Sequence, residues 1–185
     1  MRTLRYSDPD FSQAIRFLNR HAQPAAEVHA TVAEIVRRVR AEGDAALFEL
    51  TKKFGGAQLA GDTVLVSQAE IEAAVARVSQ ATKDAIAAAH FNVRDFAQKS
   101  RRNDWSGLNA QGVEVGERFD PFQRVGIYVP GGTAPLVSTA VMTCTLAAVA
   151  GVPEIVVATP AAQDGTVNDA LLFALQYAGA TEIYK

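Results

Sequence analysis

The apolar positions follow different patterns in the two parts of the chain. Before residue 120, apolar side chains recur at helical spacing, which predicts amphipathic helices, as in the series Val28, Val32, Ile35, Val36 and Val39. After residue 120, short buried strands alternate with apolar helices. We therefore predict a mainly helical region with short strands at residues 1–120, followed by an α/β unit at residues 121–185.

Capping residues and glycines mark the ends of the predicted helices. Asp8, followed by proline, is a typical helix start, and Gly43 is a typical helix end. Ser67 and Glu70 have the spacing of a capping box. We expect a short strand at residues 63–66, a long helix that ends near residue 101, a loop at Trp105 and an extended segment around residue 116.

The last 65 residues follow the order strand, helix, strand, helix, strand. The predicted strands are Val125 to Val129, Ile155 to Ala158, and a third from Glu182, with helices at Leu136 to Ala150 and Asn168 to Tyr177. This order predicts a parallel βαβαβ unit with right-handed crossovers. We expect the third strand to lack a helix covering it.

Charge is concentrated in the first region. Residues 1–120 carry 16 basic and 16 acidic side chains, whereas residues 121–185 carry only six charged side chains. So few charges indicate a segment buried on most sides, either by its own helices or by further chain or another subunit.

Composition excludes several classes of protein. The net charge of −2 offers no basic excess for a nucleic-acid backbone. The single cysteine, Cys144, cannot form an intrachain disulfide, and we find neither a signal peptide nor a membrane span. We expect a cytoplasmic protein.

The glycine-rich loop after the first strand of the βαβαβ unit is the best candidate site. It runs from Tyr128 through Gly131 and Gly132 to Pro135. Glycines allow a backbone to approach a ligand, and the next helix offers free N–H groups to an anion. The loop matches no standard phosphate-binding motif. A simple turn built from proline and glycine is therefore the alternative, and the more common one.

Other reactive side chains lack partners in the sequence. The histidines, His21, His29 and His90, do not have the spacing of metal ligands. We predict that Cys144 is buried and inert. Arg101 and Arg102 could contact a phosphate, although a solvated helix end is the commoner role for such a pair.

Two long strings resemble the histidinol dehydrogenase family. These are RVGIYVPGGTAPLVST at residues 124–139 and VAGVPEIVVATP at residues 149–160. The stretch GDAALFELTKKFGG at residues 43–56 is also similar to that family. The resemblance extends over about residues 28–185.

The resemblance implies a function and a set of cofactors. The family oxidises L-histidinol to L-histidine through the aldehyde, with NAD and zinc, as a homodimer. It implies that residues 121–185 are an incomplete Rossmann-like unit on the NAD side. Tyr128 is the implied NAD contact, with Gly131 and Gly132 as its loop neighbours. The family's zinc ligands and acid–base pair lie downstream of the matched region, so no catalytic or metal residue is assigned here.

Three hypotheses follow. In the first, the chain is the N-terminal part of a histidinol dehydrogenase and does not reduce NAD⁺ by itself. In the second, it is a non-catalytic module that binds a nucleotide or a small metabolite. In the third, its helical region mediates assembly with a longer relative.

Overall fold

The computed structural model describes residues 3–18, 26–131 and 135–185. The chain divides into two compact units, Met1–Gly43 and Asp44–Lys185. The predicted division at residue 120 stays a prediction. Among the described residues, no helix is both long enough and apolar enough to cross a membrane.

The first unit contains helices α1 (Phe11–Leu18) and α2 (Ala26–Glu42). Helix α1 begins at Phe11, two residues after the start that Asp8 and the following proline predict, and the Asp8 carboxylate accepts the backbone N–H of Arg5 at 2.9 Å. The apolar series beginning at Val28 lies on α2 as expected. Gly43 ends α2 with a φ of +62°, a conformation that favours glycine.

Three further helices begin the second unit: α3 (Asp44–Lys53), α4 (Gln68–Arg77) and α5 (Gln80–Ser100). The predicted capping box opens α4, because the Ser67 hydroxyl accepts the Glu70 N–H and the Glu70 carboxylate accepts the Ser67 N–H. Helix α5 ends where the sequence predicts, with Arg101 as its C-cap residue.

An antiparallel hairpin follows α5. Its strands are β1 (Trp105–Leu108) and β2 (Glu114–Glu117), and every residue of both strands is exposed. The extended segment around Gly116 is confirmed, but the predicted loop at Trp105 is wrong. The side chain of Asn109 holds the turn by accepting the N–H groups of Gln111 and Val113, each at 2.9 Å, and this turn returns the chain to pair with β1.

The rest of the second unit is the predicted βαβαβ arrangement. Its order is β3 (Arg124–Tyr128), α6 (Val137–Ala150), β4 (Glu154–Ala158), α7 (Asp169–Tyr177) and β5 (Glu182–Tyr184). The strands form a parallel sheet in the order β3-β4-β5. The predicted fold class, an α/β chain with a Rossmann-like parallel unit after a helical region, is confirmed.

Helices α6 and α7 cover one face of this sheet, and α5 and α4 pack against them in turn. The core lies between sheet and helices and includes Val157, Cys144 and Leu175, all fully buried. The opposite face, here called the open face, is different: Arg124, Gly126, Tyr128, Glu154 and Ala158 are exposed on it. The low charge of residues 121–185 thus reflects burial on one side of the sheet only.

The outer edge of β5 pairs with an earlier segment. The Val66 N–H donates to the Ile183 carbonyl and the Lys185 N–H donates to the Val64 carbonyl, each at 2.8 Å. The strand predicted at residues 63–66 is therefore a single antiparallel bridge, between Leu65 and Tyr184. This pairing satisfies backbone groups that would otherwise be free at the sheet edge.

Candidate functional site

The carboxyl ends of the parallel strands bring an aromatic row together. Tyr128, Ala158 and Tyr184 are paired in register across β3, β4 and β5. Paired residues of neighbouring strands point to the same face, so both tyrosines lie on the open face with the small Ala158 between them. Tyr128 is 66% exposed. We call this end of the sheet the carboxyl edge.

The glycine-rich loop begins at this edge. Val129, which follows β3, is fully buried, and its N–H donates to the Ala158 carbonyl at 2.9 Å. Gly131 lies close against the segment that follows β4. A Cβ atom at Gly131 would be 2.9 Å from the Pro160 carbonyl oxygen and 3.0 Å from its Cγ. The loop therefore needs a glycine at residue 131 because of a close approach to Pro160.

A cleft of about 320 Å³ opens beside this contact. It lies between the two loops that follow β3 and β4, and its lining includes Gly131, Pro135, Pro160, Thr166 and Asn168. Ligands of open parallel sheets bind outside the carboxyl ends of the strands. The position of this cleft fits that general rule.

Two groups near the cleft have unused hydrogen-bonding capacity. Helix α6 begins after Leu136, which provides no side-chain cap, so within the described part of the chain no side chain caps its first N–H groups. Thr159 is 2% exposed, and its Oγ1 has no hydrogen-bond partner among the described residues. An anion or a polar ligand group at this edge could accept or donate hydrogen bonds here.

The loop before α7 places carboxylates near the cleft. Asp164 accepts the Thr166 hydroxyl at 2.7 Å and its N–H at 3.0 Å, and these bonds lower the pKa of Asp164. Asp169, in the first turn of α7, has a lowered pKa because Arg77 donates to it at 2.6 and 2.8 Å. Both groups are therefore ionised at neutral pH and suit ligand hydroxyls better than phosphate oxygens.

The predicted site residues lie in different places in the structure. Tyr128 stands on the open face, whereas Gly131 lines the cleft. Gly132 lies outside the described residues. The sequence analysis did not single out Thr159, Pro160 or Tyr184. The βαβαβ order in the sequence could have indicated these residues, because the residues at the carboxyl ends of parallel strands lie together at one edge of the sheet.

The remaining reactive side chains form no metal site in the part of the chain that the structure describes. His21 falls outside that part, His29 is exposed on α2, and the His90 ring contacts the Tyr177 ring. Cys144 is fully buried as predicted, and burial raises the pKa of its thiol to about 11. A thiol with that pKa is a poor nucleophile at neutral pH.

Comparison with known proteins identifies the family of this chain. A sequence model described as "Histidinol dehydrogenase" matches residues 18–185. The chain belongs to the histidinol dehydrogenase family. The resemblance carried by residues 43–56, 124–139 and 149–160 is therefore confirmed, and the family match begins about ten residues before the expected start near residue 28.

Individual relatives support this assignment. The chain is 40% identical over 172 residues to histidinol dehydrogenase of Symbiobacterium thermophilum, which covers 92% of this chain and 39% of that protein. It is 38% identical to the Caulobacter vibrioides protein of the same name over 186 residues, covering 100% of this chain and 43% of that protein. The chain thus spans about two fifths of these relatives, in their N-terminal part.

A solved structure shows the same fold. The crystal structure of histidinol dehydrogenase from Elizabethkingia anophelis superposes with a TM-score of 0.87 at 34% sequence identity. The superposition covers 96% of this chain and 41% of that one. The βαβαβ unit and the helices before it are therefore shared with an enzyme of this oxidoreductase family.

Proposed function

We propose that this chain provides the NAD side of a histidinol dehydrogenase, an enzyme that oxidises L-histidinol to L-histidine. The observation that supports it most is the exposed Tyr128 ring beside the glycine-rich loop at the carboxyl edge. NAD⁺ bound there would accept the hydride that the alcohol carbon loses. We further propose that the assembled enzyme is a homodimer.

The described residues fit a dinucleotide. The exposed ring of Tyr128 offers a stacking surface, and Gly131 lets its loop lie close to Pro160 in the wall of the cleft. The N–H groups at the start of α6, which no described side chain caps, suit phosphate oxygens, and the Thr159 hydroxyl offers a further polar contact. Gly132 is proposed as the loop neighbour of Gly131 in this role.

The described residues do not fit a zinc ion, because no three histidine, cysteine or acidic side chains come together among them. Oxidation of an alcohol also needs a base for the hydroxyl proton. The two carboxylates near the cleft, Asp164 and Asp169, are weak bases, because hydrogen bonds from Thr166 and Arg77 lower their pKa values. We therefore propose that the 185-residue chain binds NAD but does not turn over histidinol by itself.

The first test measures NAD affinity. Titration calorimetry of the purified chain with NAD⁺ is expected to show binding that weakens about tenfold in Tyr128→Ala, because an aromatic stacking surface is lost. Tyr6→Ala is the matched control, since it removes an 89% exposed tyrosine from the other unit. Equal loss in both variants, or none in Tyr128→Ala, would contradict the assigned role of Tyr128.

The second test measures turnover. Chain purified from a host that lacks histidinol dehydrogenase is incubated with L-histidinol and NAD⁺, and NADH absorbance is followed. We expect no NADH. Detectable turnover would overturn the proposed inactivity. Binding of other nucleotides or metabolites in preference to NAD would favour the alternative, a stand-alone binding module.

A further inference from the structure

A second cavity lies at the opposite end of α6 and α7 from the carboxyl edge. It has a volume of about 630 Å³ and is lined by residues of α5 together with the C-terminal ends of α6 and α7. Strand order places the carboxyl edge at the N-terminal ends of α6 and α7. Residue 137 lies at the end of α6 nearest the carboxyl edge, and residue 149 lies at the end that lines the cavity. The two are about 18 Å apart, since a helix rises roughly 1.5 Å per residue. We call this space the arginine cavity.

The lining of the arginine cavity is basic. It contains Arg94 and Arg101, and it contains no acidic side chain among the described residues. His90 also lines it, but burial and the neighbouring Arg94 lower the pKa of its imidazole, so the positive charge comes from the two arginines. Neither arginine has a carboxylate partner in the part of the chain that the structure describes, in contrast to Arg77 and Arg124, which both form ion pairs. A cavity that concentrates unpaired guanidinium groups attracts anions.

The two arginines occupy different positions on α5, and only one of them lies where it could cap the helix. Arg101 is the C-cap residue of α5, where a positive charge also complements the helix dipole. Arg94 lies almost two turns before the end of α5, beyond the reach of that effect. Helix capping therefore accounts for Arg101 at most. Arg94 is an exposed residue of α5 and adds its positive charge to the cavity independently of the helix end.

A buried hydroxyl provides a second, independent observation. Thr145 of α6 belongs to the lining, is 1% exposed, and has an Oγ1 atom with no hydrogen-bond partner among the described residues. Leaving a buried hydroxyl unpaired is unfavourable. A ligand oxygen in the cavity would supply the missing partner.

Polar and aromatic groups complete the lining. Gln98 and Asn103 offer amide donors beside the arginines. The His90 and Tyr177 rings meet edge to face, with centroids 5.0 Å apart, and form one wall. This set of donors around a basic centre matches the acceptor oxygens of a tetrahedral anion.

We propose that the arginine cavity binds a phosphate group, either free inorganic phosphate or the phosphate of a small ester, with Arg94, Arg101 and Thr145 as its main contacts. The carboxyl edge contributes none of these residues, so the inference stands apart from the proposed NAD site.

The test follows phosphate binding by NMR on the isotope-labelled chain. Inorganic phosphate is titrated at constant ionic strength, with sodium chloride as the compensating salt. We expect saturable shifts of the backbone amides of residues 94, 103, 145 and 179. Parallel titration with ribose 5-phosphate distinguishes the two sources, because an ester site binds that ligand more tightly than inorganic phosphate.

Single substitutions distinguish a specific phosphate site from a general attraction of anions to a positively charged surface. Arg94→Gln and Arg101→Gln are each expected to weaken phosphate binding about tenfold, and Thr145→Val by a smaller factor. Arg102→Gln is the matched control, because it removes the same charge from the residue next to Arg101 but outside the lining. Tyr128→Ala is expected to leave phosphate binding unchanged.

Three results would overturn the proposal. They are shifts that sodium chloride reproduces, an Arg102→Gln loss as large as that of Arg94→Gln, and phosphate shifts confined to the carboxyl edge. The last result would assign phosphate to the NAD site instead. Failure of NAD binding together with a normal phosphate response would contradict the proposed function and leave this inference supported.

Discussion

Gly131 shows at the scale of a residue how two loops are held together. Its φ angle is not in the left-handed region, so conformational freedom is not the reason for glycine here. The reason is the carbonyl of Pro160, which occupies the space that a Cβ atom would need. The sequence analysis assigned Gly131 to a ligand loop from its neighbours in the chain. The contact with Pro160, 29 residues away, could not be predicted from those neighbours.

We expect Gly131→Ala to lower the free energy of unfolding by about 1–3 kcal/mol, because the new methyl group forces the two loops apart. Gly126→Ala is the matched control, since a Cβ atom at that position of β3 would meet nothing within 4 Å. Urea unfolding of both variants measures the difference. Equal stability of the two would show that the loops adjust without strain.

At the scale of elements, local signals predicted the helices well and the hairpin badly. The capping box of Ser67 and Glu70 and the glycine after α2 are contained within a few residues, so the sequence could reveal them. Strand β1 pairs with β2 across the turn at Asn109, yet both strands are exposed on both faces. Without a buried face there is no alternation of apolar residues to predict such a strand.

The ion pair between Arg77 of α4 and Asp169 of α7 provides the test at this scale. Asp169→Asn is expected to destabilise the chain by about 0.2–1 kcal/mol at pH 7, since both side chains are partly exposed. The pKa of Asp169 is lowered in the folded state, so its contribution is present above the pKa of about 3.8 in the unfolded chain. It is lost as the pH falls through the lower, folded-state pKa.

Thermal unfolding at several pH values measures this dependence. The Tm difference between the wild-type chain and Asp169→Asn should be up to about 4 °C at pH 7 and should disappear in acid. Arg77→Gln removes the same pair but keeps the carboxylate in the first turn of α7. A double variant whose loss of stability equals the sum of the two single losses would show that the pair contributes nothing.

At the scale of the second unit, the sheet is covered on one face and open on the other. Parallel sheets usually carry helices on both faces. Here α6 and α7 cover one face, while the open face carries the Arg124 ion pairs with Glu154 and Glu182 at 2.6 and 3.0 Å. Stability should therefore decrease from β4, which lies in the middle of the sheet, to the exposed β1–β2 hairpin.

Amide hydrogen exchange tests this order. We expect the hydrogen-bonded amides of β4 to exchange about a hundredfold more slowly than those of the β1–β2 hairpin, because the hairpin opens without exposing any buried core. The amides of Val66 and Lys185, which seal the edge of β5, serve as the reference for a paired edge. Similar rates in β4 and the hairpin would mean that the hairpin is held by contacts not seen among the described residues.

The sequence by itself determined the local structure and the family. Helix caps, the βαβαβ order and the string around Tyr128 depend on neighbouring residues, and the family match confirms the resemblance they carry. Only the tertiary structure decided which distant residues meet: Gly131 with Pro160, Leu65 with Tyr184, and Arg94 with Thr145 around one cavity. These meetings depend on how helices and strands pack, and packing is a property of the whole fold that no short stretch of sequence contains.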